Sequence, residues 1–437
     1  MTWTQLDKKI WMIALPAFAA LISEPLMLAA DTAIVGRLGR EQLAALGASS
    51  TIIGTIIGLC IFLAYGSTAA VARHQGTGDR SAAMSSAVGG VWLAAGIGFS
   101  LAIATQLSAS VLAEIFASSA VVQEHLAHYL KVAAWSIPAA LLVMASTGAL
   151  RGVLDLRTPL IVMIAANILN VAATLVLVFV LNLGLTGAAV GLVFAQWCAA
   201  VWLLLVLRSR VHAAGASIRP KVPEIIESAR TGATLVIRSV SLRAVLVIAT
   251  WLAATMGDAE LAAQQVLMTL VMLTAFALDS VAIAGQTMVG YALGAGDRHD
   301  ARIITQRVIG WGAILGAIFG IMLAVGATVI PGLFTPDPVV QSTAFSAVLV
   351  LALFMPIAGI VYALDGILIG AGDGRFLAKA GVLVLATYLP LALAIAHTDA
   401  GFTMLWLSYG AVLVARCSTL WWRQRSDSWL ITGSTVT

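Results

Sequence analysis

Charge is what this sequence has least of. Only 10% of its 437 residues are Asp, Glu, Lys or Arg, whereas soluble domains carry about a quarter, and the mean hydropathy is +1.01. That balance excludes an ordinary water-soluble fold. Cysteine is scarce too. Cys60, Cys198 and Cys417 all fall in apolar runs without CxxC spacing, so they read as packing residues and imply neither a disulfide framework nor a metal site. The six histidines are scattered, and His125 and His128 share one helix face. No HExxH, GxSxG or P-loop lysine occurs, which leaves no recognisable hydrolytic or nucleotide-binding centre. Ten-residue blocks of alternating polarity are also missing, so a membrane-spanning β-barrel is not expected.

Long apolar runs are present instead. Twelve recur, over 10–35, 43–72, 82–106, 126–150, 158–181, 184–207, 230–256, 260–290, 302–330, 340–371, 376–396 and 400–422. Each is long enough to cross a hydrocarbon core of about 30 Å as a helix. The expectation is an all-α membrane protein of twelve transmembrane helices. The first run lacks a small-residue cleavage site and is read as a retained span. The longest polar stretch, RSRVHAAGASIRPKVPEIIESAR, lies at the midpoint. It suggests an N-terminal six-helix lobe over 1–207, a cytoplasmic linker over 208–229 and a C-terminal lobe with a short tail over 230–437.

The few charges are unevenly placed. With the N-terminus in the cytoplasm, nineteen of the 24 Lys and Arg, Arg416 among them, fall on cytoplasmic connections or tails. Arg37, Arg40 and Lys131 fall outside, and Arg238 and Arg243 lie within a span. The positive-inside rule and an even span number then predict both termini in the cytoplasm, and a plasma (inner) membrane location is expected. These charges are explained by topology, so the basic balance calls for no nucleic-acid partner.

The halves repeat at a constant offset of 218 residues. RHQGTGDRSAA (73–83) aligns with ALGAGDRHDA (292–301), Pro138 with Pro356, and Gly148, Gly152, Asp155 and Arg157 with Gly366, Gly370, Asp373 and Arg375. Six spans per half predict parallel repeats, related by a pseudo-two-fold axis along the membrane normal, an arrangement that secondary transporters use.

Against this background the intramembrane polar residues are informative. In EPLMLAADTAIVGRLG (24–39), Glu24 and Asp31 lie seven residues apart, on one helix face and about 10 Å apart along the axis. An acid at membrane depth normally faces a cavity or a partner. Taking a carboxylate out of water disfavours its charged form, so such a group suits exchange of a proton for a cation. Alternatively, Glu24 caps the discontinuity at Pro25 or pairs with Arg238. Pro16 and Pro25 each remove a backbone donor and invite a bend in the same helix. Asn167 and Asn170 share a face of span 5, where amides can line a substrate pocket or bond a neighbouring helix, with Gln196 of span 6 a companion. In the second half, Arg238, Arg243, Asp279 and Asp365 predict at least one buried Arg–Asp pair, with Tyr362, Gln264, Gln265 and Gln286 as further polar lining.

PLMLAADTAIVGRLG, LGLTGAAVGLVFAQW (183–197), LMTLVMLTAFALDSVAIAGQTMVGYALGAGD (267–297) and YALDGILIGAGDGR (362–375) together resemble the multidrug and toxic compound extrusion (MATE) family, most closely its DinF-like branch. The resemblance spans nearly the whole chain. It implies a V-shaped pair of six-helix lobes that exports organic compounds in exchange for protons or sodium. It also implies that Asp31, in the DT motif, is the proton site and Pro16 the bending point. The family's span 5 pattern of Asn followed four residues on by Asp becomes Asn170 and Thr174 here. That departure removes one acid, for which Glu24 is a candidate replacement.

The expected function is therefore a monomeric antiporter, working without a cofactor, in contact with membrane lipid and a small-molecule substrate. Amphipathic cations leave as protons enter. Sodium-coupled export by the same fold is one alternative. A lipid-linked precursor flippase is a more distant one, because only Arg238 and Arg243 offer a cationic cavity. An intramembrane enzyme lacks any nucleophile–base pair.

Overall fold

The computed structural model describes residues 3–398 and 400–433. Fifteen α-helices follow one another: α1 (Trp3–Val35), α2 (Arg40–Leu59), α3 (Phe62–Gly76), α4 (Arg80–Phe116), α5 (Ala120–Ala133), α6 (Ser136–Gly152), α7 (Arg157–Leu175), α8 (Gly184–Ala213), α9 (Val222–Met256), α10 (Asp258–Gly294), α11 (Arg298–Gly326), α12 (Ile330–Phe334), α13 (Pro338–Gly370), α14 (Gly374–Ala396) and α15 (Phe402–Arg425). A π-helical turn, Val176–Val180, extends α7. Helices are forced on such a chain, because only they satisfy every backbone donor and acceptor within the segment.

Among the described residues, ten stretches are long and apolar enough to cross a membrane, and eleven if α5 and α6, bent by 46° at their junction, count as one. The expected count of twelve is therefore not reached on length and composition. The run at 400–422 does form α15, but its Trp, Tyr, Ser and Arg residues dilute its apolarity. Two further runs are interrupted, at Cys60–Ile61 between α2 and α3 and at Ala134–Trp135 between α5 and α6.

Contacts divide the chain into two units, one of residues 19–232 and one of residues 1–18 with 233–437. In the first, α3 and α4 pack on α6, and α7 and α6 pack on α8. The midpoint segment belongs largely to helices, since α8 continues to Ala213 and α9 begins at Val222. It docks on α4, where Trp92 Nε1 donates to the Ile218 carbonyl at 3.2 Å. In the second unit α13 is central, packed on α10, α11 and α15. The start of α1 is tied there by Asp7, whose carboxylate accepts from Arg307 Nε (2.5 Å) and Nη2 (2.6 Å) and from Trp311 Nε1 (2.8 Å). Trp11 stacks edge-on against Trp311.

The 218-residue repeat reappears as repeated physics. Gly39 and Gly257 precede α2 and α10 at φ 141° and 155°, and Gly78 and Gly296 turn at φ 81°, backbone that glycine adopts without a Cβ penalty. Asp79 caps α4 by accepting from Ala82 N at 2.8 Å, and Asp297 caps α11 by accepting from Asp300 N at 2.8 Å. A Cβ on Gly148 would collide with the backbone of Ala64, and one on Gly366 with the backbone of Ala282. Gly98 faces Pro138 as Gly316 faces Pro356. Each pair of contacts is separated by the same offset, so both halves use the same close approaches between small residues, the usual way for helices to pack in membranes.

These contacts generate a stability prediction. Gly366→Ala puts a methyl group into the Ala282 backbone and is expected to cost about 1–3 kcal/mol. Gly310→Ala meets nothing within 4 Å and is expected to leave stability equal or slightly higher. Thermal unfolding of the purified variants in detergent measures the contrast.

Candidate functional site

Both expected acids of α1 lie in the unit formed by residues 19–232, but they have different surroundings. Asp31 is buried at 5% exposure. Its carboxylate accepts from Asn170 Nδ2 of α7 at 3.0 Å (Oδ1) and 2.9 Å (Oδ2). Thr174, one turn further along α7, also faces it, although its Oγ1 makes no well-formed hydrogen bond. Tyr129 of α5 is buried within electrostatic reach of the same carboxylate. Among the described residues no Lys or Arg pairs with Asp31. A buried acid without a counter-charge, held by neutral donors, can take up and release a proton without breaking an ion pair.

Two oxygens beside it have no partner, Asn170 Oδ1 and Thr174 Oγ1. When Asp31 is protonated, its O–H can donate to such an oxygen. When it is ionised, the Asn170 amide donates to it. The pair therefore accommodates both protonation states.

The local sequence explains the geometry. Asn170 and Thr174 are four residues apart and lie on one face of α7. That face reaches α8 closely because Gly191 has no side chain: a Cβ there would sit 2.7 Å from Thr174 Oγ1. Asn167 lies one turn earlier and donates to the Ser23 carbonyl at 2.9 Å, so it joins α7 to α1 and does not meet Asp31. Glu24 is exposed, unlike Asp31. Gln196 is partly buried on α8 and makes no hydrogen bond to the cluster. α1 runs unbroken through Pro16 and Pro25.

The unit formed by residues 1–18 and 233–437 holds a different arrangement. Asp365 of α13 accepts from Arg238 Nε at 3.2 Å and Nη2 at 2.6 Å, and Arg416 of α15 bonds the same carboxylate. Tyr362, one turn before Asp365, lies 6.0 Å from Arg416 and within the field of Asp279. The placement of Arg416 corrects the sequence reading, which put it on a cytoplasmic flank. Its side chain is 14% exposed and sits more than two turns before the end of α15. Arg243 is exposed and takes no part. Gln264 is structural, accepting from Trp406 Nε1 at 3.1 Å.

A buried acid sits on α1 with an amide partner, within a duplicated helical bundle. Comparison with known proteins decides what such a bundle is. The family model described as MatE matches residues 16–176 and 235–394. This chain belongs to the MatE family. It is similar to the chloroplastic Protein DETOXIFICATION 44 of Arabidopsis thaliana, 28% identical over 97% of this chain and 84% of that one. It is likewise similar to DNA damage-inducible protein F of Escherichia coli, 27% identical over 98% and 94%. Among solved structures, the Vibrio cholerae MATE transporter VcmN in its bent form superposes with a TM-score of 0.87, at 20% identity over 97% of both chains. A MOP superfamily transporter from Pyrococcus furiosus gives the same TM-score at 19% identity, covering 97% and 96%. At that identity the structures speak for the fold alone. As a MatE protein the chain is a multi-pass membrane transporter, in a family of extrusion proteins and not of enzymes.

The two polar centres of this MatE protein predict unequal stability effects. Asp365→Asn breaks a buried ionic pair and is expected to cost about 3–5 kcal/mol. Asp31→Asn keeps shape and removes no ion pair, so a change within about 1 kcal/mol is expected. Comparative melting of the two variants provides the check.

Proposed function

We propose that this transporter exports amphipathic organic cations in exchange for protons, with Asp31 as the coupling group. The observation that carries the reading is the state of Asp31: buried, bonded to a neutral amide, and without a basic partner among the described residues. A cation that reaches this carboxylate favours its ionised form, and a proton favours its neutral form. The two ligands are therefore coupled antagonistically and reciprocally. Alternating access turns that antagonism into exchange when each ligand is released on the opposite side. Pro16 and Pro25 leave α1 with fewer internal hydrogen bonds than a regular helix, which suits a segment that bends as Asp31 changes charge.

Other features support the setting. The distribution of Lys and Arg fits a protein of the plasma membrane with both termini in the cytoplasm. The Arg238–Asp365–Arg416 cluster holds Asp365 of the second unit between two guanidinium groups, which suits a fixed role for that acid and leaves the exchange to Asp31. A monomer suffices for this scheme, since every group in it comes from one chain.

A second reading is sodium-coupled export. It is favoured by the unpartnered Asn170 Oδ1 and Thr174 Oγ1, because hard cations take oxygen ligands.

Reconstituted vesicles under separately imposed pH and sodium gradients separate the readings. Wild-type export of a lipophilic cation is expected to follow the pH gradient and to fall at least tenfold in Asp31→Asn. Proton-driven exchange that survives in that variant overturns the assignment, and a response to sodium alone selects the second reading. Glu24→Gln tests whether the exposed acid replaces the missing carboxylate at position 174. A severalfold loss of pH-dependent export is expected, and unchanged export removes Glu24 from the scheme.

A further inference from the structure

A groove of about 510 Å³ runs along the seam of α1 and α7, bounded by Leu26, Met27, Ile164, Ile168, Ala172 and Leu175. Its floor is closed by the bond from Asn167 to the Ser23 carbonyl. On α7 the groove residues point away from Asn170 by roughly a third of a helical turn. It is therefore a separate site from the Asp31 centre, on a different side of α7. The volume falls within the range of about 300–1,000 Å³ typical of ligand pockets, and every side chain named above as its boundary is apolar.

The stripe that leads into the groove begins in charge. Arg157, Ile161, Ile164, Ile168 and Leu175 recur at helical spacing on one face of α7, and all five are exposed. Arg157 is the first residue of α7, and the antiparallel α8 brings Arg208 and Arg210 to the same end. Arg210 bonds Asp155, which also accepts from Thr158, so this acid is already engaged. Arg157 and Arg208 are exposed and form no ion pair among the described residues. An apolar slot about 16 Å long, from Ile164 to Leu175, thus ends about 10 Å along the axis of α7 from the guanidinium-bearing Arg157, with the exposed Arg208 of α8 at the same end of the helix pair. Guanidinium is the side chain best matched to phosphate oxygens.

We propose that this groove binds one anionic phospholipid, with an acyl chain along the α1–α7 seam and its phosphate at Arg157 and Arg208. The groove contains neither Asp31 nor Asn170, and lipid retention is read without transport, so either reading can fail alone. Its occupant is a lipid and not a free phosphate ester because the slot and the basic end form one continuous surface.

Native mass spectrometry of the full chain tests this, with the protein released from micelles that contain equal amounts of phosphatidylglycerol and phosphatidylcholine. The wild type is expected to retain one phosphatidylglycerol at threefold or greater preference. Ala172→Trp fills the slot and is expected to lower lipid retention at least threefold. Leu107→Trp, on the exposed face of α4, is expected to leave retention unchanged. Arg157→Gln with Arg208→Gln is expected to keep a lipid bound and abolish the headgroup preference. Ile168→Ser serves as the second slot variant if melting shows that Ala172→Trp has not folded. Unchanged retention in the folded slot variant, or a headgroup preference that survives loss of both arginines, overturns the proposal.

Discussion

A carboxylate removed from water needs a counter-charge, a hydrogen-bond donor or a proton, and the rest of this molecule follows from which of these each acid receives. Asp365 receives two guanidinium groups. Asp31 receives one neutral amide. An ion pair in a low-dielectric interior resists change, because removing either partner strands the other. A carboxylate that holds only an amide has no such lock, and the amide has a donor and an acceptor end for the two protonation states. The first arrangement fixes structure, whereas the second leaves the carboxylate without an ionic lock. That contrast is what supports the proposed coupling role for Asp31 and not for Asp365.

The duplication sharpens the contrast. Where the halves touch themselves through backbone, they have stayed alike: Gly148 on Ala64 and Gly366 on Ala282, Gly98 on Pro138 and Gly316 on Pro356. Such contacts tolerate no added atom, so both copies carry the same small residues. The polar centres are under no such steric rule, and they differ. Asp31 has its partners on α7, while Asp365 has its partners on α9 and α15. Helix continuity differs as well. α13 passes through Pro356 unbroken, whereas its counterpart is bent between α5 and α6 near Pro138. α10 is likewise continuous where α2 and α3 are separate. The broken helices fall in the unit that carries the unpaired acid.

Much of this was legible in the chain itself. Apolar runs of spanning length predict helices because the other structure that survives in lipid, a closed β-barrel, needs alternating blocks that this chain lacks, and glycines at a fixed offset predict equivalent turns. Asp31 stood out because charge is costly at that depth, and Asn170 because it shares a face of span 5 with Asn167 and falls on the span 5 pattern of the family it resembles. Other features left weaker signals. The breaks at Cys60–Ile61 and Ala134–Trp135 contain neither proline nor glycine. Tyr129 sits in an ordinary amphipathic stretch and comes within electrostatic reach of Asp31 only through tertiary packing. Arg416 lay near the edge of a run rich in Trp and Tyr, where apolarity fades and a buried arginine looks like a flanking one. Asp7 showed nothing of Arg307, which is 300 residues away. Sequence patterns report the solvent around a helix well, and report poorly which side chain of a distant helix will face it.

The link between Asp31 and the shape of α1 also has a physical basis. Pro25 cannot donate to the carbonyl one turn earlier and crowds it, so this stretch of α1 is weakened from within. It is held from outside by α7, whose Asn167 bonds the Ser23 carbonyl beside that weak point. One turn along, Asn170 of the same helix bonds Asp31. Both amides project from one rigid element, three residues apart, so a change in how Asp31 holds Asn170 bears on the helix that also steadies Ser23. A coupling claim needs an element that both ligands bias. In the proposed scheme the α1–α7 pair is that element, with one titratable side chain, one weakened backbone turn and two amides that join them.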